Sequence, residues 1–569
     1  DAPLAVRLGV LAAGRRPLRP VATVAFLTAA IGIVVFAGAY HATLRQGAAD
    51  QAAYAVPLDA RVTVGTSLER PLDVARPAAY AGAVTGGSAH PVLRAPAGVR
   101  VSAAETATAE VVGVDPAVLP YVRSWAHVAG PMSATGARDR LAVGGGAPSA
   151  GADGGDGAPH RPGLALPAGV AGRQLAIPVS GDVALVDVSA WLRLGDGRQV
   201  GLTLRAEPGR LTARLPAEAA TLYALTITEP PDIATRRQHH MGEGHTDLDA
   251  IVGTVTVRPP TVDGRPAGDW AGFGAAATDA GFVKVTAGAG GLDIAYQING
   301  ERVVVRAGAA DPVGPLAVLV DPGTAARASG GVLRLAIGGT APIDARVVGV
   351  LDRFPTVGAR FVVADIDALS AALDARDPGT GVPIELWVRA PDGAADALTA
   401  ALTRAPFDRV AVQSRATRER QLADDPLATS AGGLLTASAL LAMVVALAAT
   451  VLLVVTERRD AAGELYAWES EGVPVTTLRR SLFVRAAAVV LPAVPAGLLV
   501  GLVLTRATTA LVAVTALGTA PVPPLAGAAD PLWIAGVLGA GLAGALAVAA
   551  VLTAFELRER LPVAPGEDA

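Results

Sequence analysis

The sequence predicts an α-helical membrane protein: four transmembrane helices and a large extracytoplasmic α+β domain carrying an inserted β-sandwich. Three observations predict it. Four stretches stay apolar for about 20 residues, the length needed to cross roughly 30 Å of hydrocarbon. Arginines gather beside these stretches on alternate links. Between the first and second stretch, β-branched runs recur among Gly, Pro and Asp turns. Composition agrees. The chain is 51% hydrophobic and 17% charged with mean hydropathy +0.44, whereas soluble proteins carry about 25% charged residues.

Taken in order, residues 1–20 form a cytoplasmic N-terminal segment with Arg7, Arg15, Arg16 and Arg19, and residues 21–40 (VATVAFLTAAIGIVVFAGAY) are the first span. This apolar run exceeds the 7–15 residues of a signal peptide, so it reads as a retained anchor. Residues 41–176 are the first part of an extracytoplasmic α/β core, and residues 309–433 are its second part. In the second part, RVVGVLDRFPTVGARFVVADIDALSAALDAR gives strands then a helix, DGAADALTAALTRA an amphipathic helix, and DRVAVQS a strand. The β-sandwich insert covers residues 177–308, where DVALVDVSAWLRL, GLTLRAE, TLYALTIT, IVGTVTVRP and ERVVVRAG read as strands. Residues 144–163 read as a flexible loop by composition. The second span is 434–455, the coupling loop 456–481, the third span 482–504, the fourth 532–555, and the cytoplasmic tail 556–569.

Orientation follows from arginine placement. Arg458, Arg459, Arg479, Arg480 and Arg485 lie around the link between the second and third spans, and Arg558 and Arg560 follow the fourth. The link between the third and fourth holds Arg506 alone. Both termini and the 456–481 loop are therefore assigned to the cytoplasm, and the large domain to the outside of the plasma membrane.

Several chemistries are excluded. There is no cysteine, hence no disulfide, thiolate metal site or thiol nucleophile. The formal net charge of −4 gives no general attraction to nucleic acid. Of the 47 basic residues one is a lysine, Lys284, and Val285 follows it. A P-loop needs Lys followed by Ser or Thr, so the chain has no ATPase site of its own. Neither G-x-S-x-G nor H-E-x-x-H occurs, and no catalytic residue is assigned. His239, His240 and His245, with Glu243 and Asp247, have imidazole and carboxylate donors, yet they read as a solvated loop and no metal is assigned. The spans contain no Asp, Glu or His, which argues against a proton-driven carrier. Gly539, Gly541 and Gly544 match G-x-G-x-x-G inside an apolar span, where the dinucleotide reading lacks its strand and helix. Gly536, Ala540 and Gly544 share one helix face and suit close helix packing. Chance spacing in an Ala/Gly-rich helix is the other reading.

The loop TERRDAAGELYAWESEGVPVTTLRRSLF is a charged island between apolar stretches. Leu465 and Trp468 lie three apart and share a helix face, with Glu464, Glu469 and Glu471 around them. Gly472 and Pro474 break that helix. An exposed Trp on such a face suits docking by a partner protein. It equally suits a connector whose ring sits at headgroup level.

The same residues resemble the FtsX-like permease family, which includes MacB-type ABC transporter permease subunits. The resemblance rests on Glu457, Arg458, Arg459, Glu464, Leu465, Ala467, Gly472, Leu478, Arg479 and Arg480, on VVGVLDRFPTVGARFVVAD, and on one span, a large domain and then three spans. AWESEG is more acidic than the family stretch, and the β-rich insert departs from the pattern. The resemblance implies a permease subunit that couples ATP hydrolysis by a separate ABC ATPase dimer to motion of the outside domain and to export or extraction of a substrate. Glu464, Leu465, Trp468, Glu469 and Gly472 would be the ATPase contact. ATP and Mg would be bound by the partner and no cofactor by this chain. A second permease half, identical or not, would complete the transporter within the lipid. A non-transporting mechanotransmitter acting on a cell-wall hydrolase or sensor, and a membrane-anchored binding receptor, are the competing expectations.

Overall fold

The structure is a computed structural model and describes residues 18–100, 106–144, 163–166, 172–195, 198–218, 220–242, 250–275, 283–288, 290–300, 302–308, 315–338, 342–509 and 521–555. Residues 145–162 of the expected loop 144–163, the stretch 243–249 with His245, and the tail 556–569 lie outside the described residues. The chain divides into two compact units, residues 1–52 with 418–569, and residues 53–417.

The helical unit is built from α1 (Leu18–Ala55), α2 (Pro426–Ser470), α3 (Val475–Thr509) and α4 (Pro531–Phe555). Among the described residues, three segments are long and apolar enough to cross a membrane: Val21–Ala55, Thr429–Leu453 and Val490–Ala507. The expected four-span helical protein is not what is observed. The fourth candidate reduces to the apolar segment Pro531–Gly544 among the described residues. The larger of the two units is β-rich, and about 31% of the chain is strand.

Inside the helical unit, Leu27, Ala30, Ala446, Val490 and Ala493 share one buried cluster, and Val34, Ala37 and Ala439 another. A close seam joins α1 to α3. A methyl group on Gly497 would stand 2.6 Å from Ile31 Cβ, and one on Gly501 2.7 Å from Val35 Cβ. Gly497 and Gly501 form a small-xxx-small pair that lets two backbones approach. Replacing Gly501 with Leu is expected to wedge this seam open at a cost of about 1–3 kcal/mol. The check is a lower thermal midpoint in detergent with helix content retained.

The β-rich unit centres on a nine-stranded sheet. Its strands are β1 (Ala60–Thr63), β2 (Ser88–Arg100), β3 (Thr106–Val114), β4 (Leu316–Val320), β5 (Val332–Ile337), β6 (Ile343–Val350), β7 (Phe361–Asp365), β8 (Glu385–Arg389) and β9 (Ala411–Ser414). Their order is β5-β6-β4-β7-β3-β2-β8-β1-β9, and β5 also pairs with β2. That extra pairing closes six strands into a barrel, where the sequence suggested an α/β core in two pieces. The barrel draws β2 and β3 from before the insert and β4–β7 from after it. β2 is long enough to serve twice. Its first half pairs with β8, and its second half, Ala97 to Val99, pairs with Ile337 to Leu335. Alternate residues such as Val99, Val111, Val318, Leu335, Ile343 and Val362 fill one core, joined by Leu369 and Leu373 of helix Ile366–Asp374. The opposite faces of several of these strands carry Val92, Val112 and Val363 into a second core with Trp125, Leu141, Phe354, Phe361 and Trp387. Sheet residues buried on both faces explain why β4 and β7 read as continuous apolar runs.

Between β3 and β4 lies the insert, a six-stranded and an eight-stranded sheet sharing one core. Its strands start at Leu164–Leu166, and strand Gln174–Gly181 runs through the expected boundary at 177. One face of strands Asp187–Leu194, Gln199–Thr203 and Ala220–Thr228 lies against the core near Asp374. Gln199 Nε2 donates to Asp374, Tyr223 Oη donates to Gln199 at 2.7 Å, and Arg193 stands 3.8 Å from Asp374. Burial pushes the Asp374 carboxyl above its usual range, although Gln199, two backbone N–H groups and Arg193 oppose the rise.

Candidate functional site

The charged island folds as a helical stalk and a tight elbow. The sequence suggested a short separate helix. Instead, α2 continues without interruption from its apolar segment, which ends at Leu453, to Ser470. The 17 residues beyond Leu453 extend about 25 Å. Good helix formers (Glu, Arg, Ala, Leu) fill this extension, so nothing stops the helix earlier.

Gly472 ends it. Its φ of +87 is the left-handed conformation that glycine adopts without a steric penalty. Val473 N–H bonds back to the Trp468 carbonyl at 3.0 Å, and Glu471 N–H to the Ala467 carbonyl at 3.1 Å. This is a Schellman-type end that satisfies the last carbonyls. Thr477 N–H then caps onto the Pro474 carbonyl at 2.8 Å, and α3 begins at Val475.

Of the five sequence-predicted coupling residues, the structure places all on this stalk and elbow. Trp468 is half-buried and Gly472 exposed, while Glu464, Leu465 and Glu469 are described by backbone alone. Among the described residues, the expected packing trio meets no neighbouring helix. A methyl group at Gly536 or Gly544 meets nothing within 4 Å, and Ala540 is exposed. Close approaches lie at Gly497 and Gly501, and at Gly38 against Trp533. Among the described residues no group of three metal-ligating side chains comes together. The backbones of His239 and His240 lie in helix Pro231–Gly242.

A second constellation, which sequence reading missed, lies in the β-rich unit. β1 and β9 are the strands by which the chain enters and leaves that unit, and they are neighbours, Ala60 opposite Ser414 through Thr63 opposite Ala411. Asp59 and Arg415 flank the pair. Asp59 is 5% exposed. It accepts from Arg415 Nη2 at 3.2 Å and from Ala390 N–H at 2.9 Å.

One strand over, Glu385 of β8 is 2% exposed. It takes Arg61 bidentately at 2.7 and 2.9 Å, Arg94 Nε at 3.1 Å and Trp387 Nε1 at 2.6 Å. Arg94 reaches on to Glu110 and to Thr356. Burial pushes the Glu385 carboxyl up. The Arg61 and Arg94 charges and the Trp387 hydrogen bond outweigh it, and the net shift is downward.

Thr356 is held at φ +67, a conformation rare for a β-branched residue. Such a conformation costs about 1–3 kcal/mol and persists only where the surroundings hold it. Chemically, Glu385, Arg61 and Arg94 form a charge-bonded clamp across β8, β1 and β2.

Signals for this clamp exist in hindsight. Glu385 and Arg94 interrupt apolar strand runs, IELWV and VLRAP, where a charge survives only when paired. No protein-family model matches this chain, and no curated protein sequence matches it.

Proposed function

We propose that this chain is the membrane-anchored, force-transmitting subunit of an ATP-driven export system of the FtsX/MacB permease type. In this reading the 456–481 elbow faces the cytoplasm, where a separate ABC ATPase grips it. The observation that carries the reading is the unbroken α2 helix, which runs from an apolar segment through a charged stalk to a glycine-terminated elbow. A continuous helix passes an axial push along its length, whereas a flexible connector would absorb it.

Two further features support the reading. Large apolar side chains on the helical unit face outward, with Leu434 at 72% and Leu532 at 84% exposed. Contiguous exposure of this kind marks a membrane or a partner. The adjacent strands β1 and β9, tied by Asp59 and Arg415, form a stiff receiver at the two points where the chain joins the β-rich unit.

The test is reconstitution in lipid with the Walker-A protein encoded by the neighbouring reading frame. The expected result is a stable complex whose ATP hydrolysis rises several-fold when this chain is present, the scale of a coupling of 1–3 kcal/mol. Absence of both the complex and the stimulation contradicts the proposal.

A further inference from the structure

Besides the elbow and the strand clamp, one feature of the β-rich unit has the geometry of a moving part: the turn Phe354–Pro355–Thr356–Val357. Pro at the first central position and positive φ at the second is the pattern of a type II turn, which calls for Gly or Asn where this chain has Thr356.

The turn is held from three elements. Tyr54, in the last turn of α1, accepts Thr356 N–H on its carbonyl at 2.8 Å and donates its hydroxyl to the Val357 carbonyl at 2.5 Å. Arg94 of β2 donates to the Thr356 carbonyl at 3.2 Å and to Thr356 Oγ1 at 2.6 Å. Phe354 is fully buried, 6.2–6.3 Å from the rings of Trp125, Phe361 and Trp387. Arg94 is in turn bound by Glu110 and by Glu385. The same strained residue therefore carries the bonds of a helix end on one side and of a barrel strand on the other.

We infer that the Thr356 turn is a two-state relay between the end of α1 and the barrel. With Tyr54 seated, Thr356 is forced into the left-handed region and offers both its oxygens to Arg94. With Tyr54 withdrawn, the two Arg94 bonds alone oppose the strain and give way to it. Thr356 relaxes to an extended conformation, Arg94 loses two acceptors, and β2 loosens in its register. Phe354 keeps the start of the turn in place, which confines the change to Thr356 and Val357. The inference deepens the reading above, because a helix end that carries motion needs a receiver that responds to small displacements.

The test uses the purified full chain in detergent micelles, with no ATPase present, and follows amide hydrogen exchange by mass spectrometry. Tyr54→Phe removes the hydroxyl bond to Val357. It is expected to speed exchange about tenfold at 354–358, the worth of one buried hydrogen bond. It should also speed exchange in β2, several-fold. In a Thr356→Gly background the strain is gone, and the effect of Tyr54→Phe on β2 is expected to vanish while its effect on the turn persists. Thr356→Ser keeps the hydroxyl and guards against a folding failure of the glycine variant; it should preserve the link to β2. An effect confined to the turn in the native background, or an equal effect on β2 in the native and glycine backgrounds, overturns the inference. Because no ATPase is involved, the relay can stand where the permease reading fails, and the reverse.

Discussion

Replacing Glu385 with Ala is expected to destabilise the β-rich unit by about 3–5 kcal/mol, because removing one partner of a buried ion pair strands the other charges. The side chains left behind, Arg61 at 19% and Arg94 at 14% exposure, have little water to turn to. Trp387 Nε1 loses its acceptor in the same step. Glu385→Gln keeps the shape and one acceptor, and its loss should be smaller. Denaturant unfolding followed by tryptophan fluorescence reads the effect, since Trp387 and Trp125 lie in the affected core.

The same carboxylate sets a pH dependence. Its folded pKa lies below the ordinary value, so the folded state binds this proton more weakly than the unfolded chain. The stabilisation is complete above the usual Glu range, near pH 4.3, and disappears as pH falls through the folded pKa. The native protein should therefore lose stability below about pH 4.5 more steeply than Glu385→Gln. Parallel acid profiles would remove Glu385 from this account.

Trp468→Ala is expected to lower ATPase stimulation by more than about tenfold while leaving insertion and helix content unchanged, because truncating an anchoring Trp in an interface costs about 2 kcal/mol or more. Leu465→Glu should act in the same direction, since it places a charge three residues away on the same helix. The stalk carrying both is continuous with α2, so neither change threatens the fold of the spans. A ring that only marks the headgroup level would behave differently. Phe and Tyr at position 468 would then both act as native, and Ala would alter membrane association before it altered hydrolysis. Unchanged stimulation in both variants removes the elbow from the mechanism.

Much of the local structure was legible in the sequence, and little of the long-range pairing. DIDALSAALDAR gave helix Ile366–Asp374, DRVAVQS gave β9, and TLYALTIT gave strand Ala220–Thr228, because periodicity reports which faces are apolar. Gly472 was legible as a helix stop, since glycine accepts the left-handed conformation of a helix end and Pro commonly follows one or two residues later. The continuity of α2 through Thr456 was missed because the charged island looked like a boundary. In fact Glu and Arg propagate a helix well.

Barrel closure depends on β2 pairing with β5, residues 97–99 with 335–337, and no local pattern encodes a partner more than 200 positions away. The Glu385 cluster was hidden for the same reason, with Arg61, Arg94 and Glu385 meeting only through register. Gly536, Ala540 and Gly544 illustrate the converse. Their spacing matched close packing as well as Gly497 and Gly501 do, and only the fold decides which small-residue face meets a neighbour. Thr356 gave no sign of its conformation, since its strain is imposed by Tyr54 and Arg94 from outside the turn.

The most direct test of the central claim uses the absence of cysteine. Trp468→Cys supplies a unique thiol. In intact cells it should resist a membrane-impermeant maleimide and react with a permeant one. A bifunctional reagent at that thiol should capture a Walker-A ATPase, identified by mass spectrometry, with a yield that differs between ATP and ADP. Reaction with the impermeant reagent from outside, or capture that never includes such an ATPase, contradicts the account.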